Sequence, residues 1–334
     1  MGRYVLRRLL QFIPVLVGTM FLIHYMTALG IQVTGNPITA LFGPKQPPPE
    51  VIHALSKKYH LADPCFKQTG NPCFNVFVAR LGDYIHGDFG SNFRDQSVID
   101  LLSRRWPITA RLTVIAIVFE SVFGILFGVL AGIRKDKFAD NTMRIITPLL
   151  IAIPVFVLGV LVQLFIGVYV GVWIGGKPWI PDWVHSIFTV TYRGDAPWLS
   201  LIVPGMVLGA LSLASIARLT RTGLVENLSS DYVRTAQSKG LQRRRVIGVH
   251  ALRNSLIPVA TYIGADFGFL ISGAIVTEGI FNIPGVGGLA YQSALGGEVP
   301  VIVAIVTILV LIFLTFNLLV DIVYAVLDPR IRYD

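Results

Sequence analysis

The residues of this chain that could do chemistry are few, and apolar sequence surrounds most of them. Glu120, Asp266 and His24 stand inside long apolar runs. An ionisable group there is costly and is read first as functional. Glu278 comes just before the turn-forming string FNIPGVGG, residues 281–288, which holds Asn282, Pro284 and Gly285. The chain has two cysteines, Cys65 and Cys73, both within CFKQTGNPC. The richest polar stretch is basic: DYVRTAQSKGLQRRRVIGVHALRNSLIP, residues 231–258. Two sulfurs with His60 nearby make an incomplete, wrongly spaced zinc site. GGKPW at 175–179 lacks the upstream glycine and the following Ser or Thr of a phosphate-binding loop. Neither H-E-x-x-H nor G-x-S-x-G occurs, and no nucleophile and base stand at useful spacing in the apolar runs. The sequence predicts no catalytic residue, no metal site and no cofactor bound by this chain. Any ATP it uses must be hydrolysed by another chain.

The elements that position these residues follow from composition. Of 334 residues, 54% are apolar and 14% are charged, against about 25% charged in soluble domains. The apolar residues gather into runs of the length a bilayer-crossing helix needs. Six spans emerge, at roughly 9–31, 112–133, 145–174, 198–217, 255–277 and 300–320. The class is an all-α integral membrane protein. The N-terminal apolar run is longer than a signal-peptide core and lacks a small-x-small cleavage site, so it reads as a retained first span. Pro148 and Pro154 in the third span, and the glycines of the fifth, are expected to mark kinks or close packing.

A net charge of +9 could indicate nucleic acid, but the basic residues sit where they set orientation instead. The N-terminus carries Arg3, Arg7 and Arg8, and the 2–3 loop carries Arg134, Lys135, Lys137 and Arg144. The 4–5 loop has eight basic residues from Arg218 to Arg253, and the tail has Arg330 and Arg332. On the other side, the 3–4 loop has Lys177 and Arg193, and the 5–6 loop has none. Both termini and the 2–3 and 4–5 loops are therefore expected in the cytoplasm. The organisation reads as 1–31 N-terminus and first span, 32–111 outer cap loop, 112–327 five-span core containing the loop 218–254, and 328–334 cytoplasmic tail.

In the cap loop, PPPEVIHALSKKYHL reads as an amphipathic helix with Val51, Ile52, Leu55 and Tyr59 on one face. SVIDLLSRRWP reads as a second helix, capped by Ser97 and ending before Pro107. Outside the membrane Cys65 and Cys73 can oxidise. Closing so short a loop would contribute roughly 2.5 kcal/mol, and two unpaired thiols are the alternative. In the 4–5 loop, Ser229, Ser230 and Asp231 can start a short helix, and Gly240 suits the left-handed residue that ends one. Ala236 and Ser238 leave part of its surface small enough to sink into a partner's groove. An ordinary basic loop against anionic lipid is the plainer reading.

YVRTAQSKGLQRRRVIGVHALRNSLIP resembles the cytoplasmic coupling loop of ABC-importer permeases, in the B-type form of the peptide and nickel branch. The family pattern E-A-A, three residues, then G falls on Arg234, Thr235, Ala236 and Gly240; Gln237 and Ser238 replace a more usual R-A. YVLRRLLQFIPVLVG, GDFGSNF at 87–93, RRWPITARLTVIA, AIVTEGIFNIPGVGGLAYQSA and the ending NLLVDIVYAVLDPRIRY are similar to further family motifs, in order. The Cys65–Cys73 segment looks inserted relative to that pattern.

The resemblance implies a type I importer permease fold and a non-catalytic half of a translocation pathway in the bacterial inner membrane. ATP and Mg would sit on one or two partner ATPases. A homologous C-type permease, an extracytoplasmic peptide-binding protein and membrane lipid would be the other partners, with no nucleic acid. Tyr232, Arg234, Thr235, Ala236, Gln237, Lys239, Gly240, Leu241, Arg244, Arg245 and His250 would couple the chain to the ATPase. Glu120, Asp266, Glu278, Asn282, Pro284 and Gly285 are candidates for the path or its gate; packing roles and a plain surface turn are the alternatives. Di- or oligopeptides are the implied cargo, with nickel or another small solute of the same branch second. An ion-coupled transporter, a membrane-embedded enzyme and a structural protein are the competing classes.

Overall fold

The computed structural model describes residues 2–35, 37–41, 48–59 and 61–327. His60 and the expected tail 328–334 with Arg330 and Arg332 lie outside the described residues, as do the side chains of Arg3 and Arg8. The described chain is helical, with one isolated bridge between Ser91 and Ser97. The helices are α1 (Gly2–Thr34), α2 (Pro37–Leu41), α3 (Pro49–Lys58), α4 (Phe74–Ile85), α5 (Val98–Ile133), α6 (Phe138–Ala152), α7 (Val155–Val162) and α8 (Gly171–Gly175). They continue as α9 (Asp182–Phe188), α10 (Ile202–Leu228), α11 (Asp231–Ser238), α12 (Arg243–Arg245), α13 (Arg253–Ile280), α14 (Val286–Leu295) and α15 (Val299–Leu327). Among the described residues, six segments are long and apolar enough to cross a bilayer: Leu9–Thr34, Val98–Ile133, Val155–Gly175, Ile202–Leu228, Arg243–Ile271 and Val299–Val320. Helices suit them because lipid offers the backbone no hydrogen-bond partner.

The centre of the bundle is the α5–α10 pair. Gly124, Gly128 and Gly132 place a smooth stripe of α5 against Ile216, Thr220 and Leu224 of α10. A Cβ at Gly128 would lie 2.5 Å from the Thr220 Cβ and 2.6 Å from the Ala217 carbonyl oxygen. Small residues of this kind let two backbones approach closely where burying apolar surface against lipid gains little. α13 packs on this pair and carries α15 on its far side.

Several boundaries differ from the sequence expectation. The helix begun at Val98 does not stop before Pro107 but runs through it to Ile133. Proline costs one backbone bond there. Val98 and Leu102 on one side of it and Leu112 and Ala116 on the other are buried in two apolar clusters, which hold both halves in line. Ser97 occupies the N-cap position without a side-chain capping bond. The expected third span splits: Pro148 lies inside α6, Ile153 and Pro154 break the chain, and the apolar crossing starts at Val155 with a wide π-helical stretch at Gln163–Val170. The fourth span extends to Leu228, and the fifth helix starts at α12 and passes a π-helical stretch at Val246–Leu252 before α13. Much of the expected cytoplasmic loop is thus helix.

Between the first two spans, Ile31, Tyr59, Leu61, Phe66, Cys73 and Val76 form a small apolar core. Cys65 and Cys73 are joined by a disulfide inside it. Ile52 and Leu55 pack against this core as expected, whereas Val51 is exposed.

Candidate functional site

Residues 218–254 fold into an elbow. α10 ends at Leu228, the short helix α11 follows at Asp231–Ser238, and the chain enters α12 at Arg243. Val233 and Ala236 are the buried residues of α11, packed with Leu224, Val246 and Ala251 and flanked by Leu228, Leu241 and Leu252. Of the two residues expected to leave the outer surface small, Ser238 is exposed but Ala236 faces inward, because its spacing of three from Val233 puts both on the apolar side. Its side chain helps to seat α11 on the bundle. Tyr232, Arg234, Thr235, Gln237, Lys239, Gly240, Arg244 and Arg245 are exposed, while Leu241 and His250 are half-buried. His250 lies in the π-helical stretch leading into α13.

Both ends of α11 are held by local chemistry. The Gly240 N–H donates to the Gln237 carbonyl at 2.9 Å and the Leu241 N–H to the Ala236 carbonyl at 3.3 Å. This is the paired closure of a Schellman motif, with Gly240 at φ +77° and Leu241 covering Ala236. At the start, the expected serine cap does not form. The Ser229 hydroxyl donates to the Glu226 carbonyl at 2.8 Å and the Ser230 hydroxyl to the Asn227 carbonyl at 2.5 Å, so both close the end of α10. The Tyr232 hydroxyl donates to Asn227 Oδ1 and accepts from Asn254 Nδ2 at 3.1 Å. Tyr232 thereby ties α10, α11 and α13 together, while the outer face of the elbow stays polar and open.

At the other end of α13, Glu278 is fully buried. Its Oε1 accepts from the Thr109 hydroxyl of α5 at 2.6 Å, and its Oε2 from the Gly288 N–H at 2.8 Å. The Thr109 oxygen also accepts from the Val286 N–H at 2.8 Å. The carboxylate therefore sits at the N-terminus of α14, where backbone donors favour an anion. A Cβ on Gly285 would overlap the Glu278 carboxyl atoms, so glycine is the residue that fits. Asn282 takes φ +49° in the same turn. The FNIPGVGG string is thus a folded junction packed into the bundle, not a plain surface turn: Phe281, Ile283, Val286, Gly287 and Gly288 are buried.

Glu120 of α5 and Asp266 of α13 are neighbours in the bundle interior, with Ser212 of α10 beside Asp266. Both Glu120 oxygens and Oδ2 of Asp266 are buried without a partner that meets hydrogen-bond geometry. His24 is separate from them. Its Nε2 lies 3.1 Å from the Pro72 and Cys73 carbonyls and its Nδ1 3.1 Å from Arg80 Nη1, so it joins α1 to the disulfide cap as a hydrogen-bonded packing residue. Thr109 and Arg80 were not legible as site residues. A threonine in an apolar helix and a lone arginine between the first two spans carry no spacing signal.

This arrangement defines a six-span membrane protein with a protein-sized polar elbow and no catalytic constellation among the described residues. Residues 124–333 match the family described as the binding-protein-dependent transport system inner membrane component. The oligopeptide transport system permease protein OppB of Haemophilus influenzae is 32% identical over 335 residues, covering all of both chains. The dipeptide transport system permease protein DppB of Alkalihalophilus pseudofirmus is 33% identical over 99% of both chains. The glutathione transport system permease protein GsiC of Escherichia coli O1:K1 / APEC is 34% identical over all of both chains. The chain belongs to this family of binding-protein-dependent inner-membrane components. It is a multi-pass permease subunit of the type I ABC importer fold, a non-catalytic transport component that works with an ATPase, a binding protein and a second permease.

Proposed function

We propose that this chain is one of two permease subunits of an ATP-driven importer of di- or oligopeptides. The names of its relatives support that cargo class. The observation that carries the coupling reading is α11, which has Val233 and Ala236 seated inward and a continuous outward face of Tyr232, Arg234, Thr235, Gln237 and Lys239. A cytoplasmic ATPase docks on that face. ATP and Mg bind on the ATPase, not on this chain. Closure of the ATPase pair pushes this elbow toward the matching elbow of a C-type permease. The α10–α11–α13 junction turns that push into a tilt of the spans. Arg243, Arg244 and Arg245 hold the elbow at the anionic headgroups.

In this reading both termini and residues 134–144 and 218–254 face the cytoplasm of a bacterium. Residues 32–111 form the outer cap on which a peptide-binding protein lands and 112–327 form the core, with α5 running from one into the other. The latch of Glu278, Asn282, Pro284 and Gly285 is part of an outer gate, with Glu120 and Asp266 bordering the path. The test is reconstitution with the partner subunits and the binding protein in liposomes. Uptake of labelled di- to tetrapeptides that requires both ATP and the binding protein is expected. Peptide uptake driven by a proton gradient without ATP would contradict the proposal.

A further inference from the structure

Asp140 is fully buried although it lies in a connection between spans, near the start of α6. Its carboxylate gathers donors from three directions. Arg221 of α10 binds it in a fork, Nε to Oδ1 and Nη2 to Oδ2, both at 2.8 Å. The Asp136 N–H donates to Oδ2 at 2.9 Å, and Arg144 Nη2 lies 3.0 Å from the same oxygen. Arg144 also reaches Asp136 Oδ1 at 2.9 Å. A two-point guanidinium fork fixes orientation as well as distance. Leaving either partner of such a buried pair alone is strongly unfavourable.

The position of the fork gives it a purpose. Among the residues of α6, Asp140 and Thr147 are the buried ones, while Phe138, Ile145, Ile146 and Leu149 are exposed. α6 therefore has little apolar grip on the bundle, yet it leads through Pro154 into the third span. Arg221 stands about two turns before the end of α10, the helix that carries the α11 elbow. α10 is also locked on α5 through Gly124, Gly128 and Gly132.

We propose that Asp140 and Arg221 are positioning residues that couple movement of the elbow to the third span. The inference rests on the coupling role proposed for α11. A push on α11 travels up α10, and the fork drags α6 and the segment beyond Pro154 with it. Without the fork, α10 moves and α6 slips. This assigns a mechanical function to a side-chain cluster outside the coupling loop itself.

The test uses the whole transporter in liposomes. Asp140→Ala and Arg221→Ala are compared with the swapped pair Asp140→Arg/Arg221→Asp, and uptake and ATP hydrolysis are both measured. Peptide taken up per ATP hydrolysed is expected to fall about five-fold or more in the single variants, with recovery of about half in the swap. A Lys239→Cys reporter in each background is cross-linked to the ATPase. Its adduct is expected unchanged, which separates a slipping lever from a lost docking site. If the adduct fails to form even with Asp140 and Arg221 intact, the α11 reading fails and this inference falls with it. If the adduct forms and the single variants keep the normal uptake per ATP, the inference alone is overturned. Should a single variant fail to assemble, Asp140→Asn, which keeps the shape and removes the charge, decides by the same ratio.

Discussion

At Gly240 the backbone takes φ +77°, where an added Cβ costs about 1–2 kcal/mol. Nothing lies within 4 Å of that Cβ, so the cost is conformational and not steric. Gly240→Val is therefore expected to lower ATP-driven uptake, while Gly240→Asn, which tolerates the left-handed region, retains more of it; equal loss in both would place the effect elsewhere. Gly285 poses the opposite case, since its Cβ would strike the Glu278 carboxylate. Gly285→Ala is expected to lower the melting temperature in detergent, and that penalty should shrink in a Glu278→Ala background, the signature of two residues in contact. Asp140 gives a pH signature. The Arg221 fork holds its carboxyl below the ordinary value of 3.8, with the Asp136 N–H and Arg144 adding to the effect. The stabilisation is complete above that ordinary value and is lost as pH falls below it toward the lowered one. Acid melting curves of Asp140→Asn are expected to lack this component. Gly240 was legible in the sequence because the motif that needs it is local. Thr109 and Asp140 were not, because their partners Glu278 and Arg221 lie 169 and 81 residues away.

Among the elements, α5 and α10 are held together by the close approach at Gly124, Gly128 and Gly132. Gly128→Leu forces bulk onto the Thr220 and Ala217 backbone region and is expected to destabilise the chain by about 1–3 kcal/mol, read as earlier thermal unfolding and faster proteolysis. A surface change such as Val118→Leu on the exposed face of α5 should do neither. In the cap, the disulfide leaves no free thiol among the described residues. A membrane-impermeant maleimide is expected to label the chain from outside only after reduction. Six spans were readable from apolar runs, yet their ends were not. Helices run on past the apolar window at Val98, Leu228 and Arg243, because bundle packing and local hydrogen bonds stabilise polar turns that hydropathy ignores. The Pro107 boundary failed for a related reason, since burial on both sides outweighs one lost backbone bond.

Across the whole molecule, two polar assemblies sit at opposite ends of α13: the elbow near its start and the Glu278 latch near its finish. The paired acids Glu120 and Asp266 lie between them. One long helix thus joins the elbow to the junction that closes α14 against α5. The loop motif marked the elbow in the sequence, whereas the inward Ala236 and the Asp140–Arg221 fork between α6 and α10 needed three-dimensional packing to appear. We propose above that α11 is the surface a cytoplasmic ATPase grips. Since the described chain has no free cysteine, Lys239→Cys supplies a single exposed reporter. In the assembled transporter, a short bifunctional reagent is expected to join it to the ATPase, with an adduct yield that changes when ATP is added. Active transport with no such adduct, or labelling of the Lys239→Cys thiol from outside intact cells, would contradict the account.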